Sequence, residues 1–136
     1  MDVNWDTTHR EFLDTHTWAV LATGRADGSP QQSMVGYAVD DAGRILVSAK
    51  SYTAKWKNAV RQPNVSLTVP DGRVHLVVYG IAETVDTEPL RSELTSLVFA
   101  SLSGSDPVEP SALIGMLDEQ QRTVLRITPT KVIFHE

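Results

Sequence analysis

Short apolar runs separated by clusters of turn-forming residues dominate the chain, and that rhythm predicts strands more than helices. Trp18-Ala19-Val20-Leu21-Ala22-Thr23 is a continuous apolar run too short for a lone helix, and it fits a buried strand. Ala26-Asp27-Gly28-Ser29-Pro30 follows as a turn, because Asp-Gly tolerates positive φ and Pro30 has no amide hydrogen for a ladder. Gln32 to Val39 predicts a second strand, Asp40-Asp41-Ala42-Gly43 a second turn, and Arg44 to Ala49 a third strand. Further on, Val65 to Val69 and Val74 to Thr84 predict a hairpin turning at Pro70-Asp71-Gly72, with Gly80 as a bulge or corner. Thr123 to Ile127 and Lys131 to Phe134 predict the last strand or pair of strands, broken at Pro129.

Helical spacing interrupts this pattern in a few places. Thr7 to Leu13 reads as a short helix that Asp6 or Thr7 can cap. Thr53 to Gln62 carries Ala54, Trp56, Ala59 and Val60 between polar residues and stops before Pro63. Trp56 is assigned to core or interface. Glu88 to Leu102 is the longest helix, with Leu90, Leu94, Leu97 and Val98 as a packing stripe, and Pro110 to Asp118 is a short one. Six strands joined mostly by hairpin-length turns predict a mainly β fold, a six-stranded antiparallel barrel with the helices packed outside.

At 136 residues and 41% hydrophobic content the chain has the size of one domain, 1–136, able to build its own core. It has no cysteine, which excludes a disulfide framework, thiolate metal sites and a cysteine nucleophile. The net charge of −5 argues against loose attraction to nucleic acid or anionic lipid. No run reaches the ~20 apolar residues of a membrane span. Met1 to His9 lacks a cationic-then-apolar leader, so the expected location is the cytoplasm. His9, His16, His75 and His135 are scattered, with no carboxylate or third ligand spaced to make a metal site of His9 and His16. No Gly-x-Ser-x-Gly, His-Glu-x-x-His, Walker loop or Gly-x-Gly-x-x-Gly occurs.

Anion binding is the better lead. Val47-Ser48-Ala49-Lys50, a strand end, runs into Ser51-Tyr52-Thr53-Ala54-Lys55-Trp56-Lys57-Asn58, a helix start. Free amides at a helix N-terminus favour negative charge, and Lys50, Lys55, Ser48, Ser51 and Thr53 add charge and donors. A solvated amphipathic helix with scattered lysines is the plainer reading of the same spacing. Gln31-Gln32-Ser33-Met34 is poor core material; it suits either a wet barrel mouth or polar contacts to a planar heteroaromatic ring.

Taken in order, several segments resemble the pyridoxamine-phosphate-oxidase-like split-barrel flavoproteins, above all their short branch that uses the deazaflavin coenzyme F420. They are Ala19 to Thr23 with Asp27 to Gln31, Leu46-Val47-Ser48, Ala54 to Val65, Tyr79 to Glu83 and Val124 to Val132. The Lys-x-x-Asn-x-x-x-x-Pro-x-Val run from Lys55 is the most specific. The resemblance implies a six-stranded split barrel that forms a homodimer, with cofactor sites at the interface. It implies that Lys55 and Asn58 hold the cofactor phosphate region with Ser48, Ala49, Lys50 and Ala54 beside them, and that Gln32, Ser33, Met34 and Val35 line the ring. Arg73, His75 and Lys131 stand where such proteins complete the pocket. The implied activity is hydride transfer from the reduced deazaflavin to an electron-poor double bond or quinone-like small molecule. FMN with the same fold is the alternative, as is a flavin or haem carrier without turnover. One departure stands out: Ser51, Tyr52 and Thr53 precede the Lys55 turn where flavin-using relatives often have an arginine, so the clamp reads as less cationic than theirs.

Overall fold

The structure is a computed structural model that describes residues 2–136; Met1, at the head of the Met1 to His9 segment read above, lies outside them. Six strands close into an antiparallel barrel in the spatial order β1-β2-β3-β6-β5-β4. They are β1 (Trp18–Gly24), β2 (Pro30–Val39), β3 (Ile45–Lys50), β4 (Asn64–Asp71), β5 (Val74–Val85) and β6 (Arg122–His135). The helices are α1 (Thr7–Asp14), α2 (Ala54–Arg61), α3 (Leu90–Ser103) and α4 (Ile114–Gln120), with a 3-10 turn over Pro110–Leu113 leading into α4. Among the described residues no helix is long and apolar enough to cross a membrane.

Strand alternation builds the interior. Ala19, Leu21, Val35, Tyr37, Val47, Ala49, Leu67, Val78, Leu125 and Ile127 all point inward and are buried. The two ends are closed by helices: Trp56 and Ala59 of α2 enter from one side, Leu13 of α1 from the other. Asp6 caps α1 by accepting from the Thr8 and His9 amides. The Tyr37 hydroxyl donates to the Leu13 carbonyl at 2.6 Å, which ties α1 to the barrel wall. Outside, α3 lays Leu94 and Val98 on Ala38, Leu46, Val85 and Val124. Leu97, at the rim of the predicted stripe, is 37% exposed. Gly36 sits beneath the end of α3, where an added Cβ would overlap the Leu102 side chain.

Two expectations need correction. β6 is one continuous strand rather than a pair broken at Pro129: the ladder shifts register between Tyr79 and Gly80, and Gly80 stands opposite Pro129. A proline gives no amide to its neighbour, and the bulge absorbs the missing bond. Gly80 permits this close approach, since a Cβ there would lie 2.7 Å from the Thr128 carbonyl oxygen. The β4–β5 turn is Gly72-Arg73, with Pro70 and Asp71 still in β4.

Closure of the barrel is uneven. β2 pairs with β3 only over Tyr37–Val39 against Ile45–Val47, whereas β3 continues along β6 to the Lys50–Arg122 pair. The first half of β2 and the last half of β3 therefore separate, and α2 sits beneath the opening with Trp56 and Ala59 in the core. This is the split that the sequence resemblance implies.

Candidate functional site

The split is bordered by the end of β3, the start of β6 and the first turn of α2. Thr53 precedes α2 in an extended conformation, and its side chain makes no capping bond to the helix amides. Its hydroxyl donates instead to the Lys50 carbonyl at 2.7 Å, closing the β3–α2 turn. The Ser51 amide donates to the Gln121 carbonyl, so the same turn is stitched to the start of β6. The first-turn amides of α2 thus have no side-chain partner, in contrast to those of α1.

Arg122, which the sequence reading did not single out, enters here. It is the register partner of Lys50, and its Nη1 donates to Ser48 Oγ at 3.4 Å. Lys55 faces the same corner: burial, and then the positive charges of Arg122 and Lys50, hold its ammonium below the usual lysine range. Among the described residues no carboxylate lies within 4.0 Å of Lys50, Lys55 or Arg122. Arg10, Arg44, Arg91 and Arg126 are all paired with acids. In a chain of net charge −5, three cations without an acidic partner gather where the end of β3, the start of β6 and the first turn of α2 meet, a local excess of positive charge. No local spacing flags Arg122, because only the β3–β6 ladder brings it to Lys50.

The other predicted residues divide. Ser48, Lys50 and Lys55 border the same corner as Arg122, with Ala54 exposed in the first turn of α2 and Ala49 buried in the barrel. Asn58 is also buried, and its amide is committed internally: Nδ2 donates to Thr23 Oγ1 at 3.1 Å and Oδ1 accepts from Arg61 at 2.9 Å. Thr23 Oγ1 donates on to Gln31 Oε1, and Gln31 Nε2 to Ser33 Oγ, so a polar chain runs from α2 through β1 to β2. Asn58 and Ser33 fix the seat of α2 against the strands. On β2, alternation sends Ser33 and Val35 inward and leaves Gln32 and Met34 exposed on the outer face.

Arg73, His75 and Lys131 lie away from this corner. Arg73 is in the β4–β5 turn; His75 is the second residue of β5 and stacks on His135 at a ring separation of 4.4 Å. Lys131 sits near a cleft of about 540 Å³ that it lines with Trp5, His9, Thr128 and Val132. His16 Nε2 lies 3.0 Å from Asp71 Oδ2 at the end of β4, a contact that no local spacing predicts. Among the described residues no three His, Cys, Asp or Glu side chains converge as a metal site.

The family model of pyridoxamine 5'-phosphate oxidase matches residues 6–136, nearly the whole chain. The chain belongs to the pyridoxamine 5'-phosphate oxidase family. Among solved structures, it resembles the conserved hypothetical protein Rv2991 from Mycobacterium tuberculosis with a TM-score of 0.81 at 24% identity, over 99% of this chain and 87% of that one. An F420 reductase matches with a TM-score of 0.71 at 23% identity, over 95% and 98%. HutZ, the heme storage protein from Vibrio cholerae, matches with a TM-score of 0.70 at 19% identity, over 97% and 95%. At these identities the likeness is one of fold. Curated proteins gave no match. Solved structures described as a reductase and as a heme storage protein thus share this barrel, and fold alone does not choose between such roles.

Proposed function

We propose that this chain is an oxidoreductase that binds reduced coenzyme F420 in the split between β2 and β3 and reduces an electron-poor double bond or quinone-like small molecule. The observation that supports this most is the acid-free corner where Lys50 and Lys55 meet Ser48 and the uncapped amides of α2. That set of donors fits the charged tail of such a cofactor. When bound, the deazaflavin supplies the hydride; the protein supplies position, polarity and exclusion of water. Lys55 acts as an electrostatic anchor, Asn58 and Thr23 hold α2 in place, and the exposed Gln32 and Met34 of β2 flank the ring.

This reading includes a homodimer that covers the site. The outer face of the barrel exposes Trp18, Met34, Tyr79 and Ile81, at 53%, 63%, 44% and 42% of their surfaces. The ladders place Met34 opposite Val20 and Tyr79 opposite Ser66, so these side chains share one continuous face. An apolar sheet face of this kind marks an association surface. Arg73, His75 and Lys131 join the pocket in this proposal only through that association.

FMN is the second reading, favoured by Arg122, which restores the cation that the local sequence lacks. Calorimetric titration of the purified protein with coenzyme F420, FMN and haem separates the three. Tight binding of F420 with turnover of a quinone or enone is the expected result, and preference for FMN or haem overturns the cofactor assignment. Ile81→Asp is expected to convert a dimer into monomers in gel filtration with light scattering; a wild-type monomer would remove the dimer from the proposal.

A further inference from the structure

Of the three cations at the split, Lys50, Lys55 and Arg122, the last is the one contributed by the far end of the chain. Its backbone is fixed twice: it pairs with Lys50 in the β3–β6 ladder, and its carbonyl accepts from Arg91 Nη1 at 3.4 Å. Its guanidinium is half-exposed, held by Gln120 Oε1 at 2.8 Å and Ser48 Oγ at 3.4 Å, both neutral oxygens. A guanidinium carries five N–H donors in a fixed fork, and these two contacts leave donors free. Lys50 and Lys55 flank it, again with no carboxylate within 4.0 Å among the described residues. Like charges so grouped repel, and the group persists where a ligand supplies the counter-charge.

We propose that Arg122 is a ligand-binding residue, the third cation of a clamp with Lys50 and Lys55 that selects a phosphorylated tail carrying at least two negative charges. This rests on the cofactor reading above but assigns a residue and a charge requirement that the reading does not contain. One lysine balances a singly charged phosphodiester; three cations match a doubly or more highly charged tail, and the planar fork of Arg122 favours a phosphate or carboxylate bound through two oxygens. The free cofactor ring without its phosphate gains nothing from this corner.

The test compares wild type, Arg122→Gln and Arg122→Lys in calorimetric titrations with coenzyme F420, FMN, riboflavin and inorganic pyrophosphate, with thermal melting as the fold control. Arg122→Gln is expected to weaken the preferred phosphorylated cofactor by about tenfold or more, the range set by a hydrogen bond to a charged group. It is expected to leave riboflavin unaffected and to flatten the loss of cofactor affinity with added salt. Arg122→Lys is expected to recover part of the affinity, because it keeps the charge and loses the fork. Pyrophosphate is expected to raise the melting temperature of wild type more than that of Arg122→Gln. Equal cofactor binding by wild type and Arg122→Gln overturns the proposal. So does equal protection of the two by pyrophosphate, or none of either. If wild type binds pyrophosphate through Arg122 but binds neither F420 nor FMN, the clamp stands and the oxidoreductase reading falls.

Discussion

Arg91 and Arg122 lie on elements that touch, and a hydrogen bond joins the side chain of one to the backbone of the other, yet the protein treats their charges in opposite ways. Arg91, on α3, is 7% exposed and fully engaged: Nε donates to Glu88 at 2.7 Å and Nη2 to Asp118 at 2.7 Å. Glu88 in turn accepts from the Ser92 amide at 3.0 Å, so the pair also ties down the first turn of α3. This corner fastens α3 to α4 and to the start of β6. Arg122, at that strand start, meets only neutral oxygens and two lysines. A buried charge with its partners in place is architecture. A half-exposed group of like charges without acidic partners costs stability, which the proposed ligand would offset, and the two corners are separable by mutation.

The largest effect is expected from Arg91→Ala. It leaves Glu88 without its guanidinium, cuts the tie to Asp118, and should cost about 2–4 kcal/mol of unfolding free energy. Denaturant unfolding measures this loss, and cofactor affinity in the folded protein should stay unchanged. A weakened cofactor with intact stability would reverse the assignment of the two corners.

Next in size is Lys55→Met, which should act in the other sense. Cofactor affinity should fall about tenfold, a difference of ~1.4 kcal/mol, while the melting temperature of the ligand-free protein rises slightly. The sign follows from the lowered pKa of Lys55: burial and then the charges of Arg122 and Lys50 disfavour its ammonium in the folded state. The unfolded chain therefore binds more protons in the window just below the ordinary value of 10.5, so stability rises with pH there. The variant should lose that rise, which melting curves across alkaline pH detect.

The smallest effect belongs to Glu88. Burial opposes its charge, but hydrogen bonds from Ser92 and Arg91 outweigh burial and hold its carboxyl below the usual value of 4.5. Its contribution is complete above that value and is lost as the pH falls below it toward the folded pKa. Glu88→Gln should shallow the acid limb of the stability–pH curve, measured by unfolding in denaturant between neutral and acid pH. An unchanged limb would assign the acid sensitivity to other carboxylates.

Where interactions are local, the sequence was readable. Asp6 caps α1 within its own first turn, and Thr53 to Gln62 forms the short helix whose Trp56 enters the core, as its spacing suggests. Where strand direction decides, it was readable only by half: Gln32 to Val35 are neighbours in sequence, but the pleat turns Gln32 and Met34 out and Ser33 and Val35 in. The family resemblance implies Asn58 as a partner for the phosphate region, and only the approach of Thr23 and Arg61 shows that its amide is committed inside.

Apolar runs, turn residues and proline positions, each acting over a few residues, by themselves determined that this chain makes six antiparallel strands with helices between them, and placed a lysine at the head of the second helix. The tertiary structure alone decided that Arg122 joins Lys50 and Lys55, that His16 meets Asp71, and that β6 runs unbroken past Pro129. Each of these depends on residues far apart in sequence that the strand order and register of the closed barrel bring together, which no local pattern encodes.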